Sequence, residues 1–162
     1  MKISQKVNAY AGILLLFAVL VMLPAWSFGG TREDLESADR AVKRGDYTEA
    51  IRLGTQIINS ADLLPKGLAM VYALRGNAWY YKKEYVRAIE DYTKAIELDP
   101  KYTEGYYNLA CIESLRKNTF KACAWLEKSI LNGYDQWEQI KKDTDLDNIR
   151  TDECYKRIMQ GK

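Results

Sequence analysis

Hydrophobic residues follow two different patterns along this chain. Ala11 to Leu23 is an unbroken apolar run of 13 residues, preceded by Lys2 and Lys6 and closed by Pro24. From Thr31 to about Met159, apolar residues instead recur at helical spacing in segments separated by short turns, with almost no strand-like alternation. This second pattern repeats. Gly45-Asp46-Tyr47-Thr48-Glu49-Ala50-Ile51 aligns with Lys83-Glu84-Tyr85-Val86-Arg87-Ala88-Ile89. In both, a turn leads into a tyrosine, and an alanine three residues later opens an apolar stripe. The spacing predicts a series of helical hairpins.

The sharpest copy runs from Ala69 to Tyr102. Tyr72, Gly76, Trp79, Tyr85, Ala88, Tyr92, Ala95 and Pro100 occupy positions 4, 8, 11, 17, 20, 24, 27 and 32 of a 34-residue unit. Gly76 and Ala88 are small where two antiparallel helices cross closely, the tyrosines and Trp79 fill the flanking space, and Pro100 stops the second helix. This pattern, with the stretch Ala88-Ile89-Glu90-Asp91-Tyr92-Thr93-Lys94-Ala95-Ile96-Glu97-Leu98-Asp99-Pro100, resembles the tetratricopeptide repeat. Weaker copies flank it. The first, Thr31 to Leu64, is offset by four residues, with Leu64-Pro65-Lys66-Gly67 read as a longer turn. The third, from Thr103, lacks the turn glycine and offers Asn118 as the residue able to turn left-handed. The run from Trp137 through Leu146, Ile149, Tyr155 and Ile158 resembles the terminal module that closes many bacterial arrays of this kind. Without such a cover, the last repeat would expose an apolar face.

The expected architecture is therefore all-α. It comprises a signal or membrane-anchor helix at 1–27, repeats at 31–64, 69–102 and 103–136, and C-terminal capping helices at 137–160. The N-terminal segment has the basic and apolar regions of an export signal, cleavable after Ser27, while an uncleaved anchor is the alternative. Either places the body beyond a membrane, in the periplasm or tethered to the inner membrane facing it.

Composition narrows the chemistry. Histidine is absent, which removes imidazole catalysis and the usual His-containing zinc sites. The net charge of +2 comes from the two N-terminal lysines. The remainder carries 22 basic and 22 acidic residues, so nothing marks a nucleic-acid footprint. Asp143-x-Asp145-x-Asp147-Asn148 imitates a calcium loop but has Asn148 where glycine is needed and Cys154 where glutamate is needed, so capping explains it better. Cys111, Cys123 and Cys154 match no zinc or redox spacing. They read as buried thiols, with Cys111–Cys154 as the pair left open. Paired carboxylates such as Glu90-Asp91 are expected on solvent faces. No catalytic residue, cofactor site or metal site is expected.

Resemblance to the repeat implies a concave groove formed by the inner helices. Asn77, Tyr80, Tyr81, Tyr107, Asn108, Cys111 and Ser114 are its candidate partner-binding residues, binding a protein segment rather than nucleic acid. The same tyrosines could alternatively pack between helices. The cations by which some relatives of this kind grip a C-terminal carboxylate are missing: Leu35 or Ala73, Glu104 and Asn108 stand at such positions. The functional expectation is a non-enzymatic envelope scaffold or adaptor, with a structural subunit of an envelope assembly, or an accessory domain of a cell-wall enzyme, as alternatives. Membrane contact is expected only through an uncleaved N-terminus.

Overall fold

The computed structural model describes residues 30–60 and 63–162, so the expected signal or anchor at 1–27 lies outside the described residues. The chain divides into two units, Met1–Glu33 and Asp34–Lys162. Of the first, only Gly30–Glu33, the opening turn of α1, is described, and the architecture below belongs to the second. The helices are α1 (Gly30–Lys43), α2 (Tyr47–Ser60), α3 (Pro65–Tyr81), α4 (Tyr85–Leu98), α5 (Thr103–Leu115), α6 (Thr119–Leu131) and α7 (Trp137–Lys142). A 3₁₀ helix (Thr144–Ile149) and α8 (Glu153–Met159) complete the chain. All regular elements among the described residues are helical. None of these helices is long and apolar enough to cross a membrane.

Helices α3/α4 and α5/α6 form antiparallel hairpins, and each hairpin packs on the next. The core follows this order. Ala41, Ala50 and Ala78 bring α1, α2 and α3 together around Tyr47 and Ile51. Ala88, Tyr92, Ile96, Leu109 and Ile112 join α4 to α5. The largest cluster, around Tyr107, Ala110, Cys111, Ala122, Leu126, Ile140, Leu146, Ile149 and Tyr155, joins α5 and α6 to the C-terminal segment. Close crossings need small residues. A Cβ on Gly76 would lie 3.0 Å from Tyr92 Cε1 and 3.3 Å from Asp91 Cβ, so the ring one turn beyond Ala88 sets this approach. At Gly105 it would lie 2.6 Å from Ile96 Cγ2.

The local structure departs from expectation in three places. Pro65 is the first residue of α3, so the offset between the first two repeats is taken up as an extra helical turn rather than as loop. Proline suits that position because its missing N–H has no intrahelical partner there. The left-handed residue of the third hairpin is Lys117 (φ 61°), not Asn118, whose side chain instead caps α6 by accepting from the Lys121 N–H at 3.4 Å. Lys83 (φ 61°) plays the same part between α3 and α4, and Gly45 (φ 80°) and Gly133 (φ 105°) do so elsewhere. All four turns share one bonding scheme. The left-handed residue donates to the carbonyl three residues back, and the next residue to one five back, as in Lys117 to Ser114 (2.8 Å) and Asn118 to Glu113 (2.8 Å). This pair of bonds satisfies the last carbonyls of the helix, which explains why a lysine is tolerated in a strained conformation.

Asp91 is the third departure. It is buried rather than on a solvent face, because Arg75 reaches it from α3 with two hydrogen bonds of 2.8 and 2.7 Å. The same guanidinium donates to Thr55 Oγ1 at 3.0 Å, tying α2, α3 and α4 at one point. Removing one member of such a buried pair leaves the other charge uncompensated, at a cost of about 3–5 kcal/mol.

Two substitutions test these backbone assignments. Gly105→Ala should destabilise the protein by about 1–3 kcal/mol through overpacking against Ile96, outweighing the gain in helix propensity. Lys117→Gly should stabilise by about 0.5–1 kcal/mol, because relief of the left-handed strain exceeds glycine's added unfolded-state freedom. Urea unfolding of both variants beside the wild type measures the two effects with opposite sign.

Candidate partner-binding groove

The inner helices α3 and α5 carry apolar residues around most of their circumference, so each needs cover on several sides. At α5 that cover includes the C-terminal segment. Burial of Leu146 and Ile149 presses the 3₁₀ helix onto α5, and Tyr155 closes behind it, donating to the Ile140 carbonyl at 3.2 Å. Asn148 reaches the Ser114 carbonyl at 2.9 Å. Arg150 locks the segment, contacting the Asp143 carbonyl (2.7 Å), the Asp147 carboxylate (2.6 Å) and the Tyr155 hydroxyl (2.9 Å).

A cavity of about 590 Å³ lies between α3, α5 and this terminal segment. Asn77, Tyr80, Tyr81, Tyr107, Asn108 and Cys111 all line it. Their exposure differs. Tyr81 is 54% exposed and stacks on Tyr47 at 5.1 Å between ring centroids. Tyr80 is half-buried and packs edge-on against Tyr81. Tyr107 is almost wholly buried, stacks on Tyr134 at 4.5 Å and donates to Asp143 Oδ2 at 2.6 Å, so it belongs to the core as much as to the groove. Cys111 is likewise buried. Ser114 lies apart from the cavity, fully buried beneath the terminal segment. The repeat register places Tyr107, Cys111 and Ser114 on the concave side of α5, but the terminal segment covers that side.

Hydrogen bonds orient the polar wall. Tyr92, in the core, extends its hydroxyl to Asn77 Oδ1 at 2.6 Å, and Asn108 Nδ2 approaches the same oxygen at 3.4 Å. Asn77 Oδ1 is thereby occupied from both helices. Across from it, Asp143 and Asp145 supply carboxylates: Asp143 takes the Tyr107 hydroxyl, and Tyr80 donates to Asp145. Gln136, Gln139 and Glu104 complete the polar lining. Sequence reasoning assigned the aspartates to capping alone. Asp143 does cap the 3₁₀ helix, its Oδ1 accepting from the Asp145 N–H at 3.0 Å, but the same turn delivers both side chains to the groove. The tandem aspartates were the available signal; their direction depends on how the segment folds back.

The electrostatics follow from burial. Desolvation, and then the neighbouring Asp147, raise the Asp145 carboxyl above its ordinary range. Burial pushes the Cys111 thiol well above its usual value, and the charge of Asp143 adds to this. Tyr107 and Tyr134 are raised for the same principal reason, and Tyr102 to about 12. Cys111 Sγ and one carboxylate oxygen each from Asp143 and Asp145 lie within 4.8 Å of one another, the spacing of a potential metal site. A thiol raised by burial is a weak nucleophile. What the cavity does offer is tyrosine faces, amides and carboxylates, the chemistry of recognition.

Residues 69–102 match a tetratricopeptide repeat model, and residues 91–124 match a second one. The chain carries tetratricopeptide repeats. Over 129 residues it is 31% identical to serine/threonine-protein phosphatase 5 of Mus musculus, a match covering 79% of this chain and 23% of that protein. Over 113 residues it is 32% identical to small glutamine-rich tetratricopeptide repeat-containing protein 2 of Saccharomyces cerevisiae, covering 68% of this chain and 32% of that protein. The chain thus spans between about a quarter and a third of the length of these curated relatives, and what it shares with them is the repeat array.

The cysteines pair differently from the sequence reading. Cys123 on α6 and Cys154 on α8 form a disulfide with their Cα atoms 6.1 Å apart, leaving Cys111 as the free thiol. α8 packs on α6, whereas Cys111 faces the Asp143 side of the terminal segment, 3.7 Å from Oδ2, so the Cys111–Cys154 alternative is not realised.

Two outcomes follow for the repeat array and its cap. Cys154→Ser should cost about 2–4 kcal/mol of stability, since the bridge constrains a long loop of the unfolded chain. Non-reducing peptide mapping by mass spectrometry should recover the Cys123–Cys154 linkage, and thermal melts with and without reductant should separate. Iodoacetamide at mildly alkaline pH should leave Cys111 unmodified in the native protein and label it on unfolding, because the thiolate is suppressed and covered.

Proposed function

We propose that this protein is a non-enzymatic interaction scaffold that holds a segment of a partner protein in the cavity between α3, α5 and the terminal segment. The observation carrying the reading is the cavity wall itself: Tyr80 and Tyr81 offer broad, stiff contact area, and Asn77 and Asn108 offer amides suited to a peptide backbone. Its volume falls within the range of small binding pockets, about 300–1,000 Å³. The kinship of the repeat region with other repeat proteins supports an interaction role without supplying a partner.

The working location in this reading is the cell envelope, with the body periplasmic or tethered to the inner membrane and facing the periplasm. Lys2, Lys6 and the apolar run from Ala11 to Leu23 are the sequence basis. The Cys123–Cys154 disulfide supports it, because such bridges persist in oxidising compartments. A second reading, a structural subunit of an envelope assembly, draws on Val86 and Phe120, large apolar residues exposed on α4 and α6, away from the groove.

The test begins with the full chain as bait in native membranes, followed by calorimetric titration of the retrieved partner. Tyr80→Ala and Tyr81→Ala should each weaken binding by about 1–2 kcal/mol, with Tyr81→Ala leaving the melting temperature nearly unchanged. Tyr107→Ala should lower the melting temperature strongly, by its place in the core. Unchanged affinity in both Tyr80 and Tyr81 variants, with loss in Phe120→Ser, transfers the site to the outer helices.

A further inference from the structure

We infer that the cavity is a receptor for an arginine side chain borne by the partner segment, an inference that rests on the groove reading above. Three carboxylates, from Glu104, Asp143 and Asp145, stand on its lining, and among the described residues no lysine or arginine does. Arg150 holds the Asp143 carbonyl and the Asp147 carboxylate but is not among the lining residues. The groove therefore presents concentrated negative charge in a partly desolvated concavity, where Coulomb attraction exceeds its value in open water. An acidic segment would place like charge against like, which costs binding energy and excludes such partners.

The aromatic wall selects among cations. Tyr80 and Tyr81 meet edge to face at 5.4 Å, and Tyr102 and Tyr134 complete the lining on the α5 side. A guanidinium stacks flat on such rings while its edge forms paired hydrogen bonds to a carboxylate, which an ammonium cannot match. Asp145 is the natural receptor. Tyr80 donates to its Oδ2, fixing the carboxylate's position, and Asp147 adds like charge beside it. Asp143 is more fully occupied, by the Tyr107 hydroxyl and the Asp145 N–H, and contributes its field rather than its lone pairs.

Selection of a displayed library of random linear peptides against the full chain tests this directly. Enriched peptides should carry arginine. Replacing that arginine with citrulline, its neutral counterpart of the same shape, should weaken binding at least about tenfold. Glu104→Gln and Asp145→Asn should each weaken the arginine peptide several-fold, with less effect on its citrulline form, and added salt should weaken the arginine peptide selectively. Glu104 is exposed, so its variant keeps the test valid if Asp145→Asn disturbs the cap. Peptides that lose binding in Tyr81→Ala yet bind equally as arginine and citrulline overturn the inference and leave the groove reading standing. Enriched peptides indifferent to Tyr80→Ala, Tyr81→Ala and Glu104→Gln overturn both.

Discussion

The inner helix α5 has almost no side that can be left to water. Helix α5 buries Tyr107, Leu109, Ala110, Cys111, Ile112 and Ser114, residues spread around its full circumference. Neighbouring helices cover part of that surface, and the concave part still has to be covered. Uncovered, each large apolar side chain would forfeit about 1.5–3 kcal/mol of burial. The C-terminal segment meets this requirement with Leu146 and Ile149, and the remaining features of the groove follow from its path.

One result is that the cap and the site share the same residues. The turn that buries Leu146 and Ile149 also sends Asp143 and Asp145 toward Tyr107 and Tyr80. The accessible groove is consequently shorter than the array, with its open part beside α3 and its floor at α5. It is also acidic, although the body of the chain is electrically balanced. A neutral sequence acquires an acidic groove because folding segregates its charges: Arg150, near the cap, faces Asp147 and the backbone rather than the cavity. The disulfide to α6 and the Arg150 contacts hold the cap in place, so the geometry of the groove depends on bonds formed outside it.

The groove presents aromatic faces, amides and carboxylates. Its free thiol is buried and pushed up by desolvation, Tyr102, Tyr107 and Tyr134 are raised for the same reason, and Asp143 and Asp145 accept hydrogen bonds from the Tyr107 and Tyr80 hydroxyls. Hydrogen bonds hold Asn77, Asp143 and Asp145 in place, and such preorganisation lowers the entropy cost of binding. The same preorganisation begins in the array. Arg75, Asp91 and Thr55 lock three helices at one point, and Tyr92 spans from the core to Asn77 at the cavity edge.

The helices, their arrangement as a hairpin array and the register of the repeat at 69–102 were legible in the sequence, because each depends on residues close together in the chain. Helical spacing of apolar positions, a small residue at each crossing and proline after α4 are local signals. So is the placement of Asn77, Tyr80 and Tyr81 on one side of α3. Residues distant in sequence decided the rest. Lys117 rather than Asn118 turns left-handed because the closing hydrogen bonds fix which residue must. Asp91 is buried because Arg75 arrives from another helix. Cys154 meets Cys123, Ser114 is sealed, and Asp143 and Asp145 become groove residues only once the terminal segment folds back over α5. Periodicity reports which face of a helix needs cover. Which segment supplies that cover, and which polar groups it carries along, is settled by tertiary packing, where the burial of a few apolar side chains outweighs the local preferences of the residues between them.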